Sequence, residues 1–138
     1  MEPLRPAPPA GPAALAVLRE VARLLDGLAA DPTLDHTIDL HSLPLAEADC
    51  AALRTWLGRG EVDARLQAAG TTQVQETAYA GVWWVRHGDE DAPGALEQIV
   101  VARIPALLPA HPEDVVAAAR RLADDLPAPT PTEENGDG

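Results

Sequence analysis

Few residues in this chain have the types and spacing that chemistry needs. A nucleophile would have to come from Ser42 or Cys50, the single Ser and single Cys. Ser42 follows His41 directly, and side chains adjacent in sequence diverge, so the two do not form a nucleophile–base pair. Cys50 has Asp49 beside it, and a neighbouring carboxylate raises a thiol pKa where catalysis wants it lowered. For metals, His36 and His41 are five apart, with Asp35 and Asp39 among them, and His87 lies near Asp89 and Asp91. Zinc ligands favour short defined spacings such as two His one helical turn apart, and on a strand His36 and His41 would point to opposite faces. Glu61 and Glu76 could be a carboxylate pair for acid–base work. Glu76, however, shares strand parity with Val74 and Ala78. A carboxylate on that side needs a partner, either Arg86 or Arg65 in an ion pair or backbone N–H groups in a cap. Gly58-Arg59-Gly60-Glu61 lacks the further glycine and helix of a phosphate loop. No catalytic residue, metal ligand or cofactor site is assigned, and the chain is expected not to be an enzyme.

Binding is the remaining class, and one stretch carries it. Gln73–His87 reads QVQETAYAGVWWVRH and holds Tyr79, Trp83 and Trp84, all the aromatics except Trp56 in a chain without Phe. Each such ring can cover roughly 150–250 Å², so this segment is expected to nucleate the core. Two strands are expected, about 73–79 and 82–87, bent or joined at Ala80-Gly81. Adjacent indoles on a strand face opposite ways, so one of Trp83 and Trp84 is expected inside and the other available to a partner, as interface hot spots are. An uncovered sheet edge would also accept an added strand.

The elements that must position these residues follow from periodicity. Residues 1–12, rich in Pro, and 127–138, without a large apolar side chain, are expected to be disordered, leaving a single domain over 13–126. Pro12 opens a helix whose stripe is read as Leu15, Leu18, Ala22, Leu25 and Ala29, widened by Val21 and Leu28 and stopped at Asp31-Pro32. Residues 32–45 fit a short strand around Ile38 and Leu40 or a covering loop equally well. A second helix spans 45–57, with Ala48, Ala51, Leu53, Trp56 and Leu57 inward, and Gly58 ends it. Glu61–Ala68 alternates as a half-buried strand, a turn at Ala69–Thr72 leads to the next, a polar loop runs over His87–Gly94, and Leu96–Ile104 is the fourth strand. A last helix begins at Pro112 with Glu113 and Asp114 at its positive end and a stripe of Val115, Val116, Ala119, Leu122 and Ala123. The fold class is α+β: an antiparallel sheet of about four strands with helices on one face, in the order α-α-β-β-β-β-α.

The net charge of −12, with ten Arg and no Lys, disfavours nucleic acid and anionic lipid as partners and suits a basic peptide. One Cys excludes an internal disulfide and multi-Cys metal sites. The apolar run over 13–30 contains Arg19, Glu20, Arg23 and Asp26, so it is neither a signal-peptide core nor a membrane span, and a cytoplasmic location is expected.

Four segments together resemble a known family. They are Leu43-Pro44-Leu45, the run LGRGEV over Leu57–Val62, the run ETAYAGVWWVR over Glu76–Arg86, and Ile99-Val100-Val101. This is similar to the HupH/HyaF-like hydrogenase expression/formation family, whose pattern joins an LPL segment, LGxGEV, an ET…GVW core and an IEV strand followed by Pro. Position 100 departs from it, with Val in place of Glu. The resemblance spans about residues 43–105. It implies a single copy of the C-terminal-type domain, an accessory role in maturing nickel–iron uptake hydrogenase, and no reaction of its own. Implied partners are the small-subunit precursor, with its twin-arginine signal peptide, and a thioredoxin-like hydrogenase chaperone. The motif residues Gly60, Glu61, Val62, Glu76, Thr77, Gly81, Val82, Trp83, Trp84 and Arg86 become the candidate protein-binding set. An alternative is a metal- or cofactor-handling protein acting in iron–sulfur cluster assembly of the hydrogenase. A third is a purely structural subunit of a larger complex.

Overall fold

The computed structural model describes residues 11–67, 70–88 and 95–129. Apart from residues 11–12 and 127–129, the expected disordered ends lie outside the described residues. So does most of the His87–Gly94 loop and part of the Ala69–Thr72 turn.

Helix α1 spans Pro12–Ala30, with Pro in its first turn where a missing N–H costs nothing. It stops where Asp31 turns its carboxylate onto Thr33, accepting from the backbone N at 3.0 Å and from Oγ1 at 2.6 Å. The buried face is Ala14, Val17, Leu18, Val21, Leu24 and Leu28. Of the expected stripe, Leu18, Val21 and Leu28 are buried, whereas Leu15, Ala22, Leu25 and Ala29 are not, so its centre lies about one residue out of phase. Val17, Val21, Leu24 and Leu28 keep the same helical spacing with larger side chains, and they bury more surface than the two alanines would.

Five strands form one antiparallel sheet: β1 (Asp35–Asp39), β2 (Asp63–Gln67), β3 (Thr71–Glu76), β4 (Val82–His87) and β5 (Leu96–Ala102), in the spatial order β1-β5-β4-β3-β2. The stretch that suited strand or loop equally is thus a strand, fixed by pairing from Asp35 opposite Ala102 to Asp39 opposite Gln98. It brings the strand count to five. A one-turn 3-10 helix (Leu40–Ser42) and helix α2 (Glu47–Leu57) carry the chain from β1 at one edge to β2 at the other.

On one face, Val82 and Trp84 lie beside their partners Val101 and Ile99, under α1, Leu40 and the α2 residues Leu53 and Leu57. Ala48 and Ala51, expected inward, are exposed instead, because α2 turns the face of Leu53 and Leu57, with Cys50 and Trp56, to the core and both alanines lie well round the helix from it. Its start is held by Asp49, whose Oδ2 accepts the Ala46 N–H at 2.9 Å. On the opposite face Val74 pairs with Val85 and Trp83 with Val100, and all four are buried. Val82–Val85 is hence buried without interruption, as in a strand with both faces covered.

The described residues from Leu107 onward form a unit of their own. In it, α3 (Pro112–Asp125) begins at His111, whose ring accepts the Glu113 N–H at 3.4 Å. The apolar stripe read from the sequence is present but exposed, and no residue of α3 is buried.

Candidate functional site

The motif residues assemble into a backbone knot. Gly60 donates its N–H to the Glu76 carbonyl at 2.7 Å, and Glu76 donates its own to the Val62 carbonyl at 2.8 Å. The Glu76 carboxylate then accepts the Glu61 N–H at 3.1 Å. Of the two roles open to Glu76, backbone capping is thus the one adopted. Arg86 stands on the other face of the sheet, opposite Gln73, and does not serve it. Ala78 donates to the Leu57 carbonyl at 2.9 Å, fastening the end of α2 to the same knot. The approach is close enough to require glycine: a Cβ on Gly60 would lie 2.5 Å from the Thr77 carbonyl oxygen and 2.6 Å from Glu76 Oε1.

Thr77, the one buried polar residue among the described residues, closes the turn before β4. Its Oγ1 donates to the Val82 carbonyl at 2.8 Å and accepts the Tyr79 N–H at 3.1 Å. Tyr79 stacks on Trp56, ring centroids 5.7 Å apart. Gly81 has φ +91°, with α1 packed against it so closely that a Cβ would lie 3.1 Å from Leu25 and from Leu28. Gly60, Glu61, Val62, Glu76 and Thr77 are therefore together, with Gly81 and Val82 in the adjoining turn.

The tryptophans diverge as expected, but neither is available: Trp83 is 5 % exposed and Trp84 6 %. The expectation of one free indole is corrected here. Trp83 donates its ring N–H to the Ala102 carbonyl at 3.1 Å, a buried bond that turns the ring along the sheet. Trp84 donates to Glu97 Oε2 at 2.8 Å beneath the Arg54 guanidinium. Arg86, half-buried, stands one strand position from Trp84 on the same face, opposite Glu97.

Two concavities lie beside this framework. One, of about 420 Å³, runs between the 3-10 turn and α2 and is lined by His41, Leu45, Cys50, Arg54, Arg86 and Glu97. The Arg54–Glu97 ion pair bridges α2 and β5 there. Burial, then the carboxylates of Glu97 and Asp49, push the Cys50 thiol up, so it is a poor nucleophile at neutral pH. The sequence signal for Glu97 was its shared parity with Ile99 and Val101, which marks it as facing the core, but its partner 43 residues away on α2 carried none. The second concavity, of about 440 Å³, lies between α1, β1 and Leu43-Pro44-Leu45.

The histidines stay apart. His41 Nε2 sits 2.9 Å from the Ala95 carbonyl oxygen, and His87 lies between Thr72 Oγ1 (3.0 Å) and Gln98 Oε1 (3.3 Å). Ser42 donates to the Asp39 carbonyl at 2.8 Å rather than engaging His41. Among the described residues no group of three or more His, Cys, Asp or Glu is placed to hold a metal ion, and no helix is long and apolar enough to cross a membrane.

Comparison with known proteins fits this architecture. Residues 12–128 match the C-terminal conserved region of the HupH hydrogenase expression protein. The chain is 34 % identical over 89 residues to the hydrogenase-1 operon protein HyaF of Escherichia coli K12, covering 64 % of this chain and 31 % of that protein. It is 32 % identical over 123 residues to the hydrogenase expression/formation protein HupH of Rhizobium leguminosarum, 86 % of this chain and 42 % of that one. Against HoxQ of Azotobacter vinelandii the identity is 29 % over 115 residues, 83 % of this chain and 40 % of that one. The chain thus spans less than half the length of these relatives. The solved structure of HupH from Thiobacillus denitrificans superposes with a TM-score of 0.76 at 39 % identity, covering 84 % of this chain and 98 % of that one. A five-stranded sheet locked by the Gly60–Glu76 knot, with both faces of β4 buried, is the local consequence of the motifs quoted above, and the chain belongs to the HupH hydrogenase expression protein family, matching its C-terminal conserved region.

Proposed function

We propose that the chain is a non-catalytic accessory protein in the maturation of nickel–iron uptake hydrogenase. It binds the small-subunit precursor, or the thioredoxin-like chaperone that accompanies it, before export. Membership in a family of hydrogenase expression proteins is the observation that carries this reading. The site supports it in a second way. The motif residues Gly60, Glu76, Thr77 and Gly81 are engaged in backbone geometry, so they serve a rigid platform rather than a reacting centre. The acidic balance of the chain favours encounter with the basic start of an export signal.

The test is co-purification of tagged chain with the small-subunit precursor, with the precursor lacking its signal, and with an unrelated exported precursor as control. Enrichment of the hydrogenase precursor over the control is expected. Recovery of all three at the level of the control overturns the reading. Trp83→Ala and Trp84→Ala are unsuitable as binding variants, because each would remove a buried ring and cost roughly 3–5 kcal/mol of stability.

A further inference from the structure

We propose that the outer edge of β1, with the apolar groove beside it, accepts an extended segment of a partner polypeptide as a sixth strand. The preferred segment carries basic residues four apart with apolar residues at the odd positions between them. This rests on the reading of the chain as a polypeptide-binding protein and says where and how the partner sits.

Strand β1 ends the sheet, so among the described residues its outer N–H and C=O groups face no strand, and four of its five residues are exposed. Such an edge is a template for pairing unless it is blunted. Here the blunting is selective: Asp35 and Asp39 repel a like-charged strand and leave the edge open to a basic one. The groove alongside is walled by Ala13, Ala16 and Val17 of α1 and by Leu43-Pro44-Leu45, with Ile38 on the strand itself. Glu20 lines it from α1, and the strand brings Asp39 to its border and Asp35 to the other end, all three carboxylates. Glu20 is already paired with Arg23 at 2.7 Å, and Asp39 Oδ1 accepts the His41 N–H at 3.0 Å but keeps its charge, so Asp35 and Asp39 supply the attraction for a cation.

Parity sets the pattern. His36 and Ile38 share the face of β1 that lies toward α1, because Ile38 pairs with the core residue Ile99; Asp35, Thr37 and Asp39 share the other. A strand added to β1 therefore places apolar side chains opposite His36 and Ile38 in the groove, and basic ones opposite Asp35 and Asp39. A second copy of this chain is the wrong occupant. Two β1 strands paired antiparallel over their full length would set each Asp35 against the other Asp39, and like charges directly opposite are destabilising. The N-terminal residues of the chain itself are also poorly suited, since Pro3, Pro6, Pro8 and Pro9 have no N–H to give.

The experiment uses the full chain with three labelled ten-residue peptides: alternating Arg/Thr and Val, the same with Glu for Arg, and a Gly/Ser peptide. Binding is read by fluorescence anisotropy, and the footprint by hydrogen exchange. The Arg/Val peptide should bind saturably and about tenfold more weakly at 0.5 M than at 0.05 M salt, and should slow exchange over residues 35–39. Ala16→Arg, which fills the groove from an exposed helical position, and Asp35→Lys should each weaken it by about tenfold. The Glu peptide should not bind. Equal affinity for all three peptides, protection that spares 35–39, self-association through β1, or tighter binding once residues 1–10 are removed would each overturn the proposal. The footprint on the unaltered chain decides even if a variant fails to fold. If the hydrogenase precursor is retained equally by Ala16→Arg and Asp35→Lys, the edge is wrong and the function stands. If the peptide binds at β1 but no hydrogenase precursor is recovered, the function fails and the edge stands.

Discussion

Trp84 and Glu97, on neighbouring strands, are joined by one hydrogen bond of 2.8 Å, and the same carboxylate oxygen meets the Arg54 guanidinium, which lies 5.1 Å from the centre of the Trp84 ring. Three residues from α2, β4 and β5 thus share one acceptor. Removing it strands an indole N–H in a buried place and leaves a cation over the ring. Glu97→Ala is expected to destabilise the fold by about 2 kcal/mol, and Glu97→Gln, which keeps an acceptor for the indole, by about 1 kcal/mol. Urea unfolding followed by tryptophan fluorescence measures both. Equal losses in the two variants would mean that the charge, not the hydrogen bond, holds the site.

Gly60 has the least room of the described glycines. A methyl there meets the Thr77 carbonyl oxygen, which cannot swing aside as a side chain would. Gly60→Ala is expected to cost about 3 kcal/mol, of the order seen when a well-packed site is overfilled. Glu76→Gln should cost far less, about 0.5–1 kcal/mol, since its amide oxygen can still accept the Glu61 N–H. Reversal of that order in chemical denaturation would show that Glu76 matters for its charge rather than for the cap.

Much of this architecture was legible because it is local. The alternation read over Glu61–Ala68 survives over Asp63–Gln67 as β2, and the Gly58 stop survives as the end of α2; Val62 is exposed outside the strand, and Ala68 lies outside the described residues. The fate of the indoles was not legible. Divergence of Trp83 and Trp84 follows from strand parity, but whether the second ring is buried depends on neighbours such as Val100 and the Ala102 carbonyl that another strand brings beside it. The same holds for β1. Asp-His-Thr-Ile-Asp has no strand signal strong enough to outweigh a loop, and only pairing with β5, some 60 residues on, decides it. Glu76 was legible as a group in need of a partner. That the partner is a backbone N–H fifteen residues away was not.

Gly81 and Gly70 separate backbone strain from crowding. Both have positive φ, +91° and +104°, but a Cβ on Gly81 would press on Leu25 and Leu28, whereas no atom of the described residues lies within 4 Å of one on Gly70. Gly70→Ala should therefore cost only the conformational term, about 1 kcal/mol. Gly81→Ala should cost about 1–2 kcal/mol more, because α1 must shift to admit the methyl. Thermal unfolding of the two variants side by side isolates the difference. Matching melting temperatures would mean that α1 yields freely at this contact.

Cys50 gives a prediction in pH. Its thiol is pushed up first by burial and then by the negative charges of Glu97 and Asp49, against an opposing pull from Arg54 and with a lesser push from Glu47. The unfolded thiol, free of these influences, ionises at lower pH than the folded one. Whatever stability this difference contributes is present below the unfolded pKa and is lost as pH rises through the folded value. Thiolate is the reactive form, so iodoacetamide should modify the folded chain more slowly than the urea-unfolded chain at pH 8, and the folded rate should go on rising with pH after the unfolded rate has levelled off. Glu97→Gln removes the charge that raises this thiol most, so it should quicken alkylation of the folded protein at fixed pH without changing the rate in urea. Identical pH profiles for folded and unfolded chain would show that neither burial nor the carboxylates govern this thiol.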